Sequence, residues 1–330
     1  MLKEDILALL KSSPSDYLSG EAMSRNLGVS RAAVWKAVDG LRGEGYEIAS
    51  LSNRGYRLES RPDSLRAGEL SGALSGRLLG RELVCLPTVD STNDEVKRRA
   101  AGHAPEGLAV LAEEQSGGKG RRGRSFQSLG GKGLYLSVLL RPQVPLKLLS
   151  ELTAWTAVAV CRGIEACCGL SPGIKWTNDL LLGGKKLCGI LTELEFEAES
   201  AAPVQVVVGI GVNVSQTAAD FGPELSDRAT SLLQELGRPV RRSDLAGSVL
   251  AALDDMYAAF PGGKAGYLAE YRARCVTLGR EVLLVGPAGS QPAFARDIDE
   301  DFALLVDYPD GTSGAVTAGE VSVRGLMGYA

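Results

Sequence analysis

The sequence predicts an α+β chain of several domains: an N-terminal winged helix-turn-helix, a central α/β domain and a small C-terminal β-barrel. Three observations predict it. Over the first 60 residues, helical periodicity gives way to a short hairpin. Over the middle, helices alternate with apolar strand-like runs around a loop dense in glycine and cations. From Leu278 onward, short strands alternate with glycine- or aspartate-rich turns, the pattern of a small barrel. These shifts place boundaries at 1–60, 65–274 and 275–330, with Ser60-Arg61-Pro62-Asp63 as a linker.

The first helix is expected from Leu2 to Lys11, with Ile6, Leu7, Leu9 and Leu10 on its apolar side. Ser19 is the expected N-cap of a second, Gly20 to Leu27, and Gly28 permits the turn that follows. Ser30 then caps a third, Arg31 to Arg42, in which Ala33, Val34, Ala37, Val38 and Leu41 recur at helical spacing. Arg31, Ala32, Trp35, Lys36 and Asp39 are left outside. Small residues and cations on that face suit a major groove, so Ser30, Arg31, Ala32, Trp35 and Lys36 are candidate DNA contacts. A hairpin, Tyr46 to Leu51 and Gly55 to Leu58, would carry Arg54 at a wing tip. Charges balance over 1–60, so the alternative is a module for protein contact or dimerisation, with Trp35 a packing residue.

In the middle of the chain, Val84 to Pro87 reads as a strand, and Asp90-Ser91-Thr92-Asn93 as the cap of a helix from Asp94 to Ala101. Hydroxyl and amide groups at such a junction can also hold a small polar ligand, because helix N-terminal donors converge there. Leu108 to Glu113 and Leu134 to Leu140 read as strands, and Lys147 to Cys168 as one long helix. Ile174 to Leu180 is strand-like and carries Lys175, Asn178 and Asp179 into a hairpin at Gly183-Gly184. The return strand holds Lys186, and Gly189 breaks its apolar run, as glycine does where a ligand or another backbone comes close. Taken alone, Lys186 reads as a solvated hairpin lysine. Val204 to Val214 is a buried strand in which Asn213 needs a hydrogen-bond partner, since an orphan amide there costs roughly 1–3 kcal/mol. Helices are expected over Arg242 to Phe260 and Tyr267 to Cys275. Barrel strands follow at Glu281 to Val285, Ala293 to Ile298, Ala303 to Asp307, Gly314 to Thr317 and Val321 to Val323.

The loop Gly117 to Arg124 reads Gly-Gly-Lys-Gly-Arg-Arg-Gly-Arg. Glycine costs about 0.5–1 kcal/mol relative to alanine inside a regular element, and cations on one face repel. Such a loop can instead gather backbone N–H groups with Lys119, Arg121, Arg122 and Arg124 around one polyanion. It satisfies G-x-G-x-x-G and nearly satisfies the P-loop, yet both demand a helix directly afterwards. Here a turn and a strand follow, so both templates are rejected.

Composition narrows the chemistry. With 330 residues, 45% apolar and 23% charged, the chain is long enough for two or three domains with a sizeable core. A net charge of −4 argues against wholesale coating of nucleic acid. Met1-Leu2-Lys3-Glu4-Asp5 has no secretory pattern and no apolar run approaches the ~20 residues of a membrane helix, so a cytoplasmic location is expected. Cys85, Cys161, Cys167, Cys168, Cys188 and Cys275 show no C-x-x-C spacing and read as reduced thiols. The single histidine, His103, lies in a loop-like surface stretch, which excludes a serine–histidine relay and multi-histidine zinc sites. The chemistry must rest on carboxylates, lysine, arginine and backbone donors.

Taken in order, several segments resemble the biotin–protein ligases, in the bifunctional form that is also the biotin operon repressor. They are Asp90-Ser91-Thr92-Asn93, Gln115, Gly118 to Arg124, Lys175-Trp176-Thr177-Asn178-Asp179-Leu180, Lys186 to Leu191, Gly209-Ile210-Gly211-Val212-Asn213-Val214 and Gly319 to Arg324. Ser30 to Lys36 is similar to the family's recognition helix. No single motif is decisive, but the ordered set covers almost the whole chain. The family often has arginine at the position of Lys119, lysine-tryptophan at Ser125-Phe126 and proline at Thr177. The first change keeps charge but loses a planar fork, and Phe126 keeps an aromatic face but loses an indole donor.

The resemblance implies a central ligase domain on a mixed sheet, an SH3-like barrel, and two reaction steps. Biotin's carboxylate attacks the α-phosphate of ATP, and a lysine of the biotin carboxyl carrier protein then attacks the mixed anhydride. By the resemblance, Ser91, Thr92, Asn93, Gln115, Lys119, Gly120, Arg121 and Lys186 bind biotin. Gly118, Arg121, Arg124, Phe126, Lys175, Asn178, Asn213 and Arg324 bind ATP or the adenylate. Arg121, Lys186 and Asp179 are the catalytic candidates, with Mg²⁺ as cofactor and no direct protein ligand to it. The resemblance also implies a ligand-promoted homodimer on two-fold operator DNA, and no membrane partner. The rivals are a lipoate–protein ligase and a ligand-sensing regulator with an inactive enzyme-like domain.

Overall fold

The computed structural model describes residues 2–196, 203–286, 289–317 and 322–325, the side chains of 196, 203, 204 and 322–325 excepted. The N-terminal part is α1 (Leu2–Ser12), α2 (Gly20–Leu27), α3 (Arg31–Gly43) and the hairpin β1 (Glu47–Leu51) with β2 (Gly55–Ser60). Ser19 and Ser30 cap α2 and α3 as expected, their hydroxyls accepting from Ala22 N at 3.0 Å and Ala33 N at 3.2 Å. Ile6, Leu7, Leu10, Met23, Val34, Val38 and Leu41 form a core of their own. The backbones of Leu18 and Tyr56 exchange hydrogen bonds of 2.8 and 2.9 Å, so the wing is pinned beneath α2. Gly55, at φ 110°, is required there, because a Cβ would run into the backbone of Leu18 and Ser19.

The central part contains α4 (Ala67–Leu74), β3 (Leu83–Val89), α5 (Thr92–Ala101), β4 (Ala109–Gln115), β5 (Gly133–Leu140), α6 (Leu146–Leu149) and α7 (Leu152–Cys168). It continues with β6 (Gly173–Lys175), β7 (Asp179–Leu182), β8 (Lys185–Phe196), β9 (Pro203–Asn213), α8 (Ala218–Leu225), α9 (Leu232–Leu236), α10 (Arg242–Ala259) and α11 (Lys264–Arg274). The seven strands form one sheet in the order β3-β4-β5-β9-β8-β7-β6. Only β3 and β4 run parallel, so the sheet is mixed. Strand alternation sends Leu134, Leu136, Val138 and Leu140 under the helices α7 and α10, and Leu139 under α5. Trp155 of α7 stacks on Tyr267 with centroids 4.3 Å apart.

Three expectations are corrected. The segment Ile174 to Leu180 is not one strand but the ends of β6 and β7, which pair antiparallel across a turn at Trp176-Thr177-Asn178 with Lys175 opposite Asp179. The helix expected from Lys147 to Cys168 is broken at Ser150-Glu151, where the buried carboxylate of Glu151 turns to Lys264 Nζ at 2.8 Å. The helix expected from Asp94 begins two residues earlier, at Thr92, with Ser91 at the cap position but no side-chain capping bond.

The C-terminal strands are β10 (Arg280–Gly286), β11 (Gly289–Ile298), β12 (Leu304–Asp307), β13 (Ser313–Val316) and β14 (Ser322–Gly325). They pair antiparallel in the order β13-β12-β11-β10-β14. Among the described residues no ladder joins the two edges, so the expected barrel is seen as an antiparallel sheet of five strands. Its apolar side chains join the central core, and Trp176 Nε1 donates to the Phe302 carbonyl at 3.0 Å across that junction. No helix of the described residues is long and apolar enough to cross a membrane.

Candidate active site

A cleft opens over the middle of the central sheet. Its floor is glycine. Gly189 of β8 lies opposite Gly211 of β9, and Gly209 opposite Leu191. A Cβ at Gly211 would come within 2.6 Å of the Phe126 ring, so the ring can sit this close to the sheet because that residue has no side chain.

One end of the cleft is polar and buried. It is built where β3 hands over to α5, beside the end of β4. Gln115 Oε1 accepts from Thr92 N at 2.8 Å, and Gln115 Nε2 donates to Ser128 Oγ at 2.8 Å. Ser137, buried in the otherwise apolar β5, lies 2.7 Å from Thr92 Oγ1 and donates to Asn93 Oδ1 at 2.6 Å. Asn93 Nδ2 donates to Glu193 Oε2 at 2.7 Å, and Lys97 Nζ donates to the other carboxylate oxygen at 2.8 Å. Asp90 faces away and is held bidentately by Arg98, an ion pair that, with the Ser91 N–H, holds its carboxyl well below the usual carboxylate range.

The other end is cationic. Lys186 Nζ donates to Asp179 Oδ1 at 2.6 Å, and Arg121 donates to Asn178 Oδ1 at 2.8 Å. Asn178 in turn donates to the Ile190 carbonyl at 3.0 Å. Burial pushes the pKa of Arg121 down, with Arg122 and Arg124 adding to the effect and Asp179 opposing it. The loop that carries Arg121 is a compact hairpin. Gly120 N donates to the Arg124 carbonyl at 2.7 Å, Phe126 N to the Gly118 carbonyl at 2.9 Å, and Arg122 takes a left-handed φ of 56°. A strand follows it, β5, so the rejection of both phosphate-loop templates stands.

The cleft therefore brings together Ser91, Thr92, Asn93, Gln115, Lys119, Gly120, Arg121, Phe126, Asn178 and Lys186, with Asp179 touching it through Lys186. The remaining expected residues are placed elsewhere. Arg124 is exposed on the loop, and Lys175 is buried in β6 opposite Asp179. Gly118 lies behind the cleft, where a Cβ would meet the Phe126 carbonyl and Ser128 Oγ. Asn213 is committed to structure, donating to the Thr230 carbonyl at 3.0 Å, which supplies the partner its burial demands. Arg324 pairs opposite Leu283 in β14, and its side chain lies outside the described residues. Lys119 sits on the rim with Asp94 at 2.6 Å, an ion pair that raises its pKa. Ser128, Ser137, Glu193 and Lys97 were missed from sequence; only Ser137, a lone hydroxyl in an apolar strand, carried a signal.

On the recognition helix, Arg31, Ala32, Trp35 and Lys36 are exposed as expected, Trp35 at 57%. Arg54 is exposed on the wing, with its guanidinium 5.0 Å from the Tyr17 ring centroid.

Residues 85–213 match the profile of the Biotin/lipoate A/B protein ligase family, and residues 3–57 match an HTH domain. The Bifunctional ligase/repressor BirA of Bacillus spizizenii is 40% identical over 256 residues, 78% of each chain. The chain belongs to this ligase family. The Bifunctional ligase/repressor BirA of Escherichia coli is 31% identical over 322 residues, covering 97% of this chain and 96% of that one. Among solved structures, the biotin protein ligase of Aquifex aeolicus in complex with biotin and ATP shares 30% identity. It superimposes with a TM-score of 0.65 over 74% of this chain and 99% of its own. The motif segments around the cleft, from Asp90 to Asn213, fall inside the matched ligase region.

Proposed function

We infer that this chain is an ATP-dependent biotin protein ligase that carries a helix-turn-helix repressor domain. The observation that supports it best is the two-ended cleft: buried hydroxyl and amide groups at one end, Lys186 and Arg121 at the other, and a glycine floor between them. A flat ring system with polar edges fits the first end, and a carboxylate meeting a phosphate fits the second.

The carboxylate of biotin is already ionised and needs no general base. Its oxygen attacks the α-phosphorus, the bond to pyrophosphate breaks, and the adenylate remains. Repulsion between two anions opposes the step, and fixed cations oppose that repulsion. Lys186 would bridge the acid and the α-phosphate, and Arg121 would carry phosphate charge. Asp179 holds Lys186 in place at 2.6 Å and stands ready to take a proton from an incoming lysine of the carrier domain. That amine attacks the anhydride carbonyl and AMP leaves.

Magnesium fits this site as a passenger. Among the described residues no group of three or more histidine, cysteine, aspartate or glutamate side chains could hold a metal ion, so the ion would arrive on the triphosphate's own oxygens. There it would neutralise phosphate charge. Arg124, Lys175 and Arg324 are assigned to the nucleotide once the loop closes over it, with Phe126 covering the base.

In the same reading, the C-terminal sheet is the family's SH3-like barrel, the parts are 1–60, 65–274 and 275–330, and the setting is the cytoplasm. The adenylate-bound form pairs on two-fold operator DNA through the exposed face of α3. The matched family also embraces lipoate ligases, which sets the test. Purified protein is incubated with ATP, Mg²⁺ and either biotin, lipoate or octanoate, and the adenylate is weighed by mass spectrometry. Biotinyl-AMP alone supports the reading. An adenylate only of lipoate or octanoate, or none at all, overturns it.

A further inference from the structure

We propose that the helix-turn-helix is locked to the ligase part where α1 crosses α4, and that this lock sets the spacing at which a pair of these chains reads DNA. The second half rests on the repressor reading above; the first stands on the contacts alone.

The two helices belong to different cores. Ile6, Leu7 and Leu10 of α1 lie in the N-terminal cluster, whereas Leu70 and Leu74 of α4 are sunk in the central one. The clusters stay separate, so close backbone approach and charge hold the two parts in register. Gly68 is the point of approach. An ideal Cβ there would stand 2.8 Å from the Glu4 carbonyl oxygen and 3.1 Å from Glu4 Cα, backbone atoms that yield only if α1 moves bodily. Glycine weakens a helix relative to alanine, so at this position it serves the crossing and not α4 itself.

Charges fasten the crossing at both ends. Arg66, at the N-cap position of α4, makes no capping bond, and the Glu4 carboxylate of α1 takes that place by accepting from Gly68 N at 2.7 Å. About two turns further along α1, Lys11 Nζ reaches Glu69 Oε2 at 3.0 Å and also donates to the Glu69 carbonyl. The Glu69 side chain is fully buried, and Arg61 of the linker meets the same oxygen at 2.8 Å. Arg66 turns back to Glu44, at the end of α3, at 2.5 Å. A buried ion pair adds little net stability but is costly to break from one side, which suits a fixed register. On its other side α4 lies against α10, where a Cβ at Gly247 would come within 2.9 Å of Ala73 Cβ. The recognition helix is thus carried by the ligase core and not by a swinging linker. Two paired copies then present their α3 helices at one separation, which the half-sites must match.

Trypsin reads the lock. Arg61 precedes Pro62 and is not cut, so the cleavable bond is Arg66–Ala67, and the Arg66 guanidinium is held on Glu44 and Glu4. Gly68→Ala strengthens α4 as a helix but collides with α1. Gly72→Ala, one turn on, strengthens it equally and meets nothing within 4 Å. In the full-length protein, cleavage after Arg66 should rise about five- to hundredfold in Gly68→Ala, the effect of forcing a methyl group into close packing when cleavage follows the open population. It should stay at the wild-type rate in Gly72→Ala. Lys11→Met should raise it roughly two- to fivefold, and carries the test should Gly68→Ala fail to fold. Biotin-dependent pyrophosphate release should be unchanged in all three. A wild-type cleavage rate in Gly68→Ala or Lys11→Met, or equal acceleration in Gly72→Ala, overturns the lock.

Spacing is read by gel shift on the biotin-gene promoter, its half-sites first mapped by footprinting. The same DNA is then lengthened by two base pairs between them, a displacement of about 7 Å. Absence of any wild-type shift sinks the repressor reading and leaves the lock to the trypsin result. Wild type should bind the longer site about 10²-fold more weakly, because both halves cannot be engaged at once. Gly68→Ala, on a freed linker, should lose about tenfold or less. Equal losses in the two proteins overturn the link to spacing.

Discussion

Gly209→Ala puts a methyl group into the most crowded point of the site, and the structure says how much that should hurt. An ideal Cβ there overlaps Asn93 Oδ1 and stands 2.9 Å from Asn93 Cγ and 3.1 Å from Nδ2. Asn93 has nowhere to go. Its oxygen holds Ser137 at 2.6 Å and its nitrogen holds Glu193 at 2.7 Å, so retreat breaks two buried hydrogen bonds. Leaving a buried polar group unsatisfied costs about 1–3 kcal/mol, which places the whole change near ~2–4 kcal/mol. For a fold of this size that is a fall in Tm of roughly 5 °C or more. Gly211→Ala is the matched control. Its Cβ would meet the edge of the Phe126 ring at 2.6 Å, and a ring on a loop can swing aside. Scanning calorimetry of the two variants beside wild type decides the matter. A clear loss is expected for Gly209→Ala and only about 1 kcal/mol for Gly211→Ala, the low end of what overpacking costs, because the neighbouring ring can move. A Gly209→Ala protein as stable as wild type, with normal biotin KM, would refute the account of the floor.

Lys186→Ala should lower adenylate formation by about 10²–10³-fold, the usual worth of one positioned charge donor, measured as pyrophosphate release. Its fold should survive, since the strand bonds of Lys186 to Arg228 and Thr230 are backbone ones. Trypsin cleavage at Arg121, Arg122 and Arg124 should slow several-fold when biotin and ATP are added, because the loop orders over the adenylate. Equal cleavage with and without ligands counts against that closure. Replacing Arg31 and Lys36 together by alanine should weaken binding to the organism's own biotin-gene promoter and flatten its salt dependence, while ligation continues. Unaltered gel-shift affinity would return α3 to a protein-contact role.

Local signals carried most of the architecture. Ser19 and Ser30 before apolar helical spacing, and Gly183-Gly184 between two strands, are short-range features, and all three appear where the residues placed them. What failed was set by distant partners. The expected long helix is interrupted at Ser150-Glu151, where the buried Glu151 carboxylate meets Lys264, 113 positions on. No local pattern foretells that buried Glu69 of α4 meets Lys11 of α1 at 3.0 Å and Arg61 at 2.8 Å, bonds that fasten the N-terminal helices to the ligase part. The site followed the same division. Thr92, Gln115, Arg121 and Lys186 stand in recognisable segments, whereas Glu193 and Lys97 earn meaning only through contacts that span 96 positions. Asn213 shows the reverse: its need for a partner was readable, but its amide serves the backbone of Thr230 rather than the cleft.

The central claim is that fixed cations let one acid attack a nucleotide phosphate, and exchange of labelled pyrophosphate into ATP reads that step without any carrier protein. Exchange that requires biotin and Mg²⁺ and disappears in Lys186→Ala is the predicted result. Exchange that proceeds equally without biotin, or at full rate in Lys186→Ala, would contradict the claim.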